Sequence, residues 1–548
     1  MGLSRRQLLR VGTAGSVAVL VGASAASSGR FRAPRWLRDP FTLGVASGDP
    51  LPDGVVLWTR LAPDPLAPDG LGGMAQHPVT VDYEVAHDEQ FRQVVARGSA
   101  IATRELAHTV HPEVGGLEPD RWYFYRFRAG SAISPVGRTR TAPPSGQPTA
   151  RMRFAFASCQ SWTSGYYTAY EHMSAEDLDL VVHLGDYIYE RGWNRGREGM
   201  SVEPYLAAEA VDLPGYRLRY AQAKAEQPLR AAHAAFPWLV TMDDHEIDNN
   251  WFADHPGLGL DIYRIPALFR RRKAAAFQAM YEHQPLRIAA MPSGPTMRIH
   301  RRYTFGDLAD ITMLDTRQYR TGGACGNGNI GDDCPGRLSP DRSILGAPQR
   351  DWLLDGLTRS TARWQILGNQ VAMAKSDYDP GPGTNFGTDA WDAYVADRNT
   401  VLATAAARDI HNLVVITGDR HHNYAADLRP DNATTPESPV VAAEFTGTSI
   451  TTGGDGTDMN PTGRNLLTAN PDMKFFNSQR GYVRVDLDHS LWRTDFRVVP
   501  YIRRPAAPIH TRASFVVQDR VPGVVAAWRP DDHTDQAADP GTAGPAPR

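Results

Sequence analysis

Four short apolar runs in this chain end just before residues that are good metal ligands. Short continuous apolar runs are typical of strands that are buried on both faces of a sheet. In open α/β sheets, ligands bind just beyond the carboxyl ends of such strands. We therefore predict an α/β fold in which these strand ends share one metal centre. The runs and the candidate ligands after them are residues 154–158 with Cys159, 180–184 with Asp186 and Tyr189, 238–242 with Asp243, Asp244 and His245, and 413–417 with Asp419 and His421.

The length and composition narrow the class of protein. The chain of 548 residues is long enough for about two to four domains. Its composition, 42% hydrophobic and 22% charged residues, is ordinary for a soluble globular protein. The formal net charge of -3 provides no overall basic field, so we expect no nucleic-acid-specific binding.

The N-terminus has the pattern of a targeting segment. Arg5 and Arg6 form a twin-arginine pair, and a weakly apolar stretch rich in glycine and alanine follows at 11–21. Small residues at 23–25 suit a signal peptidase. The stretch is too short and too weakly apolar for a stable membrane anchor. We predict that residues 1–30 are a twin-arginine signal peptide, that the twin-arginine export machinery is a partner, and that the protein is secreted; a disordered basic tail is the alternative.

The chain has three cysteines, and two of them bracket a loop rich in Gly, Asn and Asp. In an oxidising compartment, the spacing of Cys325 and Cys334 suits a loop-closing disulfide. Cys159 is left without a partner, either as a buried inert thiol or as a metal ligand. Its place at a strand end favours a thiolate ligand.

The patterning divides the chain into two structured regions. Residues 38–142 read as a β-sandwich, because segments such as 79–85 alternate with period two. Leu117 to Pro119 before Tyr123 resembles the corner of fibronectin-like sandwiches. Residues 141–148 have the composition of a linker. The expected domains are the signal peptide at 1–30, a small fibronectin-like β-sandwich at 38–142, a catalytic domain at 150–527 and a disordered tail at 529–548.

Strands alternate with helices beyond residue 151. A helix is predicted at 263–281, with its basic cluster at 270–273 on a solvated face. Another helix is predicted to begin at 351–357. Two further apolar runs, 311–314 and 364–367, are predicted strands, and they are followed by Arg317 and Asn369 respectively.

The residue types at the strand ends suit metal binding beside a substrate site. The carboxylate of Asp186 can bridge two cations, and a phenolate at Tyr189 is a strong donor to a ferric ion. A thiolate at Cys159 prefers a transition metal. Asp244 is followed directly by His245, so a carboxylate can bind metal while the imidazole faces the substrate. Each pattern is weak alone, and the joint signal is strong because order, strand context and ligand type agree.

Several longer motifs carry a family resemblance. They are 41–50 (FTLGVASGDP), 56–60 (VLWTR), 157–160 (ASCQ), 185–190 (GDYIYE), 243–246 (DDHE) through 249–251 (NNW), 314–319 (LDTRQY) and 418–421 (GDRH). With these motifs the chain resembles the PhoD-type alkaline phosphatases, a branch of the calcineurin-like metallophosphoesterase superfamily. The match covers nearly the whole chain after residue 40, and together the motifs are highly specific.

The resemblance implies a fold, an activity and a metal centre. The implied fold is an α/β, αββα metallophosphoesterase sandwich after a small fibronectin-like β-sandwich domain. The implied enzyme is a secreted metal-dependent phosphoesterase that hydrolyses phosphomonoesters and phosphodiesters through a metal-bound hydroxide. The implied cofactors are Fe3+ and Ca2+. Residue by residue, the resemblance assigns Cys159, Asp186, Tyr189 and His421 to iron, Asp186, Asp244 and Asp419 to calcium, Asn369 to a further ligand position, His245 to the leaving group, and Arg317 with Tyr319 to the phosphate.

Two ligand positions and the activity have alternatives. Asp243 is the alternative to Asp244, and His422 is the alternative to His421, because the segment after Asp419 is bulkier and more polar than the family pattern. A phospholipase D-like phosphodiesterase that acts on phospholipid headgroups is the alternative function. A non-catalytic exported binding protein would lack part of the ligand set, whereas every expected ligand type is present.

Overall fold

The computed structural model covers most of the chain. The predicted signal peptide and the predicted tail lie outside the described residues. Among the helices that the structure describes, none is long and apolar enough to cross a membrane. The described residues are 36–193, 197, 204–257, 260–326, 328–430 and 438–528.

The N-terminal region is built from strands. Their bounds are β1 (Val45–Leu51), β2 (Gly54–Arg60), β3 (Val79–Ala86), β4 (Val94–Ala102), β5 (Thr109–Val110), β6 (Glu113–Gly115), β7 (Trp122–Ala129), β8 (Ala132–Ile133) and β9 (Gly137–Arg140). Strands β3, β4, β7, β8 and β9 form one antiparallel sheet. It packs against β1, β2, β5 and β6 through a core that includes Leu57, Val81 and Phe127. The Tyr123 hydroxyl oxygen accepts a 2.8 Å hydrogen bond from the Glu118 N–H, so the predicted corner is present.

The rest of the chain supplies the remaining strands. Their bounds are β10 (Met152–Ala157), β11 (Leu180–His183), β12 (Pro237–Val240), β13 (Arg301–Phe305), β14 (Ala309–Met313), β15 (Asn329–Ile330), β16 (Trp364–Asn369), β17 (Phe386–Gly387), β18 (Leu413–Thr417), β19 (Asn423–Leu428), β20 (Ala442–Thr446), β21 (Met473–Asn477), β22 (Arg480–Leu487), β23 (Leu491–Val499), β24 (His510–Gln518) and β25 (Val521–Trp528).

Helices connect these strands. The α-helices are α1 (Thr168–Ser174), α2 (Pro204–Ala207), α3 (Leu213–Lys224), α4 (Gln227–Ala235), α5 (Pro266–His283), α6 (Ala347–Arg359), α7 (Val395–Ala407) and α8 (Pro461–Ala469). Short 3-10 helices cover Arg104–Leu106, Asp261–Arg264, Ile288–Ala290, Pro335–Leu338 and Trp391–Ala393.

Two large sheets pack face to face. The first has the order β25-β24-β23-β22-β10-β11-β12-β1-β2-β5, with β6 also on β2, and the second has the order β13-β14-β16-β18-β20-β19-β21. An apolar core between them includes Phe154, Ile311 and Trp492. Helices α1, α3, α4 and α5 cover the outer face of the first sheet, and α6 and α7 cover that of the second. The predicted αββα sandwich with a preceding β domain is therefore the observed fold.

The first sheet continues across the predicted linker. Strand β1 pairs in parallel with β12, with Ser47 opposite Pro237 and Gly48 opposite Trp238. A Cβ atom on Gly48 would lie 2.5 Å from the Pro285 carbonyl oxygen, so only glycine fits this close approach. The N-terminal strands and the strands that carry the ligands therefore belong to one hydrogen-bonded sheet.

Candidate metal centre

The candidate ligands lie on loops at the carboxyl ends of parallel strands. Strands β10, β11 and β12 are parallel neighbours, and the loops after them carry Cys159, Asp186 and the Asp243–Asp244 pair. In the second sheet, β18 lies between the parallel strands β16 and β20, and its loop carries Asp419 and His421. The four predicted strands were each placed within two residues of their observed ends, because their continuous apolar runs are buried on both faces.

Two glycines allow these loops to approach one another. A Cβ atom on Gly185 would lie 2.4 Å from Cβ of Asp243, and Gly185 has a φ of 115°. A Cβ atom on Gly418 would lie 2.5 Å from the Ser158 hydroxyl oxygen, which belongs to the other sheet. A side chain at either position would push the ligand loops apart.

Four candidate ligands have a left-handed backbone. The φ angles are 59° for Cys159, 54° for Asp186, 64° for Asp419 and 56° for His421. This conformation is uncommon for residues other than glycine, and such strain collects at functional sites. The sharp turns direct the side chains from the strand ends into a shared space.

The first cluster joins both sheets. Ligand atoms of Cys159, Asp186 and His421 lie within 4.8 Å of one another. The Tyr189 hydroxyl donates to Asp186 Oδ2 at 3.0 Å and lies 3.3 Å from His421 Nε2. The structure therefore brings together one thiol, one carboxylate, one phenol and one imidazole. His422 points elsewhere: its ring packs on Phe476 with centroids 5.0 Å apart.

The carboxylates continue the cluster on the other side of Asp186. Asp186, Asp244 and His245 form a second group, and Asp243, Asp244 and Asp419 form a third, with the same 4.8 Å limit. Asp186 is shared by the first two groups and Asp244 by the last two. This arrangement provides two neighbouring compartments with Asp186 between them, and both members of the Asp243–Asp244 pair take part.

The crowded acids perturb one another. Burial, followed by the charge of Asp244, raises the pKa of Asp186 well above its usual range. Burial also raises the pKa of Asp419 to about 6 and the pKa of the Cys159 thiol. For Asp244, burial acts to raise the pKa, but the charges of Arg317 and His245 outweigh it and lower the pKa below the usual range. The protein alone does not neutralise this concentration of negative charge.

The donor set fits cations. Asp243 Oδ2 is buried and has no hydrogen-bond partner among the described residues, which is a costly state for a carboxylate oxygen unless it binds a cation. Burial lowers the pKa of His421 to about 3, so its imidazole is neutral, as metal ligands must be. Thiol and imidazole donors suit a transition metal, whereas carboxylates suit a hard divalent ion. The two compartments therefore differ in the metal that they favour.

His245 is held beside the clusters by Glu190. His245 Nδ1 lies 2.7 Å from Glu190 Oε2, and the imidazole ring packs on Tyr189 with ring centroids 4.1 Å apart. Burial acts to lower the pKa of His245, but the charges of Glu190 and Asp244 outweigh it and raise the pKa well above the usual value. Because Nδ1 is engaged, Nε2 is the ring nitrogen left for a substrate.

Arg317 holds carboxylates in the structure. Its Nε donates to Asp243 Oδ1 at 2.5 Å, and its two terminal nitrogens bind Asp389 at 2.6 and 2.8 Å. The guanidinium is fully buried. A forked contact with phosphate would require the Asp389 pair to open, so the phosphate role of Arg317 stays a prediction. Tyr319 is 40% exposed and packs edge-on against His300, with no described contact to the clusters.

Asn369 lies at the end of β16, and its amide is engaged within the protein. Its Nδ2 donates to the Val371 carbonyl at 2.6 Å, and its Oδ1 accepts from Trp391 Nε1 at 3.2 Å. A ligand role for Asn369 stays a prediction.

The sequence motifs contained residues whose roles were not assigned. The Glu246 carboxylate accepts the backbone N–H groups of Asp186, Tyr187 and Asp243 at 3.1, 2.6 and 2.7 Å, and it thus ties two ligand loops together. Glu190 and Glu246 both lie inside the motifs that carry the resemblance. Their position next to candidate ligands is the sequence feature that could have indicated their roles. Asp389 follows no apolar run and could not be found that way.

The disulfide prediction is confirmed. Cys325 and Cys334 are bonded, with Cα atoms 6.0 Å apart, and Cys159 is free and buried. The closed loop contains β15, which pairs with β17 just before Asp389. The bridge therefore supports the segment that carries the carboxylate partner of Arg317.

An αββα sandwich with thiol, imidazole and carboxylate donors between its sheets is the architecture of a metal-dependent phosphoesterase. Residues 154–496 match the model of the PhoD-like phosphatases, and residues 24–143 match the model of the N-terminal domain of these phosphatases. The chain is 48% identical over 488 residues to alkaline phosphatase D of Bacillus subtilis (strain 168), which covers 89% of this chain and 82% of that protein. A solved structure of PhoD aligns with a TM-score of 0.86 at 46% identity and covers 91% of this chain and 94% of that one. The chain belongs to the PhoD-like phosphatase family, so the predicted family and enzyme class, a phosphoric ester hydrolase acting on phosphate esters, are confirmed.

Proposed function

We propose that this phosphatase hydrolyses both phosphomonoesters and phosphodiesters at a centre of one ferric ion and calcium. The observation that carries the proposal is the convergence of Cys159, Asp186, Asp244 and His421 from four strand ends of two sheets. Cys159, Asp186, Tyr189 and His421 would hold iron, and Asp186, Asp244 and Asp419 would hold calcium. When bound, the cations supply an activated water nucleophile and neutralise charge on the phosphoryl oxygens.

The side chains position the reacting groups. Glu190 orients the His245 imidazolium through Nδ1, and Nε2 of His245 delivers a proton to the leaving-group oxygen. Glu246 holds the Asp186 and Asp243 loops at the separation that the donor set needs. Arg317 compensates the charges of Asp243 and Asp244 from behind the centre.

An Asp186→Asn variant tests the shared carboxylate. We expect the variant to lose both metal content and turnover, because Asp186 belongs to both compartments. Metal analysis and hydrolysis of p-nitrophenyl phosphate measure the two losses. Asp355→Asn on an exposed position of α6 is the matched control and should retain both. Intact metal content and activity in Asp186→Asn would contradict the proposal.

Metal identity and colour form a second test. Iron bound to a tyrosine phenolate absorbs visible light by charge transfer. We expect protein exported by its native route to contain iron and calcium and to be coloured, and we expect Tyr189→Phe to change the visible band. A colourless protein that contains only zinc or manganese would contradict the ferric centre.

The substrate range separates the proposed activities. Wild-type protein should release nitrophenol from p-nitrophenyl phosphate and from bis-p-nitrophenyl phosphate. Turnover of phosphatidylcholine at a higher rate than both would favour the phospholipase D-like alternative.

We also propose that the protein is secreted by the twin-arginine route. The Arg5–Arg6 pair supports this proposal. Replacing both arginines by lysine should retain the protein inside the cell, and unchanged export would contradict the proposal.

A further inference from the structure

A cleft of about 270 Å³ adjoins the metal centre. Tyr189 and Thr452 line it and also belong to the edge of the first ligand cluster. The Thr452 hydroxyl lies 2.8 Å from the Cys159 carbonyl oxygen and 2.8 Å from the Tyr189 hydroxyl oxygen. A group that enters this cleft is therefore next to the donors that would hold the metal.

The walls of the cleft are continuations of the ligand loops. The segment after Cys159 contributes Trp162, and the segment after Tyr189 contributes Trp193. The two indole rings have centroids 6.4 Å apart and planes at 41°. The loops that present the ligands therefore also place two aromatic side chains beside the candidate centre.

Both indoles are held in place. Trp162 Nε1 donates to Glu226 Oε1 at 2.8 Å, which fixes the edge of its ring. The Arg219 guanidinium lies 3.8 Å from the centroid of the Trp193 ring and covers one face of it. Arg219 also donates to the backbone carbonyl groups of Arg191 and Ala208, so the stack is rigid. A ring that binds here meets surfaces that lose little side-chain freedom.

The remaining lining mixes apolar residues, such as Ile188 and Ala223, with polar residues. Ser161, Thr163 and Ser164 contribute hydroxyl groups, and Arg191 and Arg219 contribute positive charge. Among the described residues, no carboxylate lines the cleft. Rings stack on indoles and hydroxyl groups bond to serine and threonine, whereas a cationic headgroup would meet the positive charges of Arg191 and Arg219.

We infer that this cleft binds the organic group of the phosphate ester and selects alcohols that contain a ring, either aryl or glycosyl. The inference rests on the proposed phosphoesterase function and adds the substrate class to it. Trp162 is the residue that sets this preference by stacking on the ring.

Trp162→Leu tests the inference on three monoesters: p-nitrophenyl phosphate, glucose 6-phosphate and glycerol 3-phosphate. Release of inorganic phosphate is measured for each, and the ratio of variant to wild-type kcat/KM cancels differences between leaving groups. We expect a loss of about three- to tenfold on at least one ring substrate, the magnitude of an aromatic contact, and a change below about twofold on glycerol 3-phosphate. The affected ring substrate identifies the aryl or the glycosyl class.

Two further variants control the experiment. Trp162→Phe keeps an aromatic ring and should restore most of the loss, and Trp352→Leu on α6, outside the cleft, should leave all three ratios near one. Equal losses on all three substrates, or no loss on either ring substrate, would overturn the inference. If the wild-type protein releases phosphate from none of the three, the proposed function itself fails.

Discussion

The hydrogen-bonded pair of Glu190 and His245 lies at the edge of the carboxylate cluster. His245 borders the carboxylates through Asp186 and Asp244, yet its Nδ1 is taken by Glu190 at 2.7 Å. Glu190 Oε1 also accepts the Asn249 N–H at 3.0 Å, which fixes the carboxylate itself. Glu190 is therefore a positioning residue that acts on substrate through His245.

Glu190→Gln should lower kcat while it leaves KM nearly unchanged. The amide keeps the size of the side chain but removes the charge that orients and supports the imidazolium. We expect kcat to fall about ten- to a hundredfold, the range seen when the partner of an essential histidine is lost. Steady-state kinetics with p-nitrophenyl phosphate measure the change, and Glu171→Gln on the exposed side of α1 is the control. A raised KM with an unchanged kcat, or loss of bound metal, would assign Glu190 a different role.

At the scale of elements, the loop after β11 depends on Gly185. Gly185→Ala combines a left-handed backbone with a Cβ atom 2.4 Å from Asp243, so the Asp186 and Asp243 loops must separate. We expect lower metal content and lower activity. Gly146→Ala is the matched control, because Gly146 also has a positive φ of 74° but has no atom within 4 Å of the added Cβ.

The control variant Gly146→Ala separates the effect of the steric clash with Asp243 from the effect of a positive φ angle. Gly146→Ala should cost about 1 kcal/mol of stability and leave metal content unchanged. Metal analysis and thermal unfolding of both variants provide the measurement. Equal metal content in Gly185→Ala and Gly146→Ala would show that metal binding tolerates a wider separation of the Asp186 and Asp243 loops.

The ligand-bearing strands could be predicted because the signal is local. Runs such as 413–417 are apolar on both faces, and their ligands follow directly in sequence. The disulfide was predictable for the same reason, since Cys325 and Cys334 bracket one short loop. The predicted helix at 263–281 begins at Pro266, after a 3-10 turn at Asp261–Arg264, because proline suits the first turn of a helix.

Features that depend on tertiary contacts could not be predicted. The solvated face expected for the basic cluster 270–273 is wrong for Arg272 and Lys273, which are buried. Arg272 contacts Glu209 at 2.9 Å, and nothing in its own helix indicates that partner. The ion pairs of Arg317 with Asp389 likewise join distant loops, and nothing in the sequence near Arg317 indicates these carboxylate partners.

At the scale of the whole molecule, several histidines have ring nitrogens that are buried against the helix-covered core. Burial lowers the pKa of His111 and of His183 to about 3, from an ordinary value of 6.5. Only the unfolded chain binds a proton at these histidines as the pH falls below about 6.5. The free energy of unfolding therefore decreases as the pH is lowered, by about 2 kcal/mol per histidine at pH 5. This loss continues until the pH reaches the folded pKa near 3.

His111→Phe should make the protein less sensitive to acid. The phenyl ring can keep the stack on Tyr281, where the ring centroids are 4.5 Å apart, and it binds no proton. We expect the loss of stability between about pH 7.5 and about pH 5 to shrink by about 2 kcal/mol. Chemical denaturation at both pH values measures it. If the free energy of unfolding of His111→Phe depends on pH as that of the wild type does, His111 is not a source of the acid sensitivity.

The parallel pairing of β1 with β12 makes the two halves of the chain inseparable. A fragment that starts at residue 150 would present β12 with a bare edge of N–H and C=O groups, beside the loop that carries Asp243 and Asp244. Bare edges recruit strands from other chains and seed aggregates. Strand β1 of the N-terminal region thus covers that edge of β12. We expect the catalytic half to be insoluble when it is produced alone.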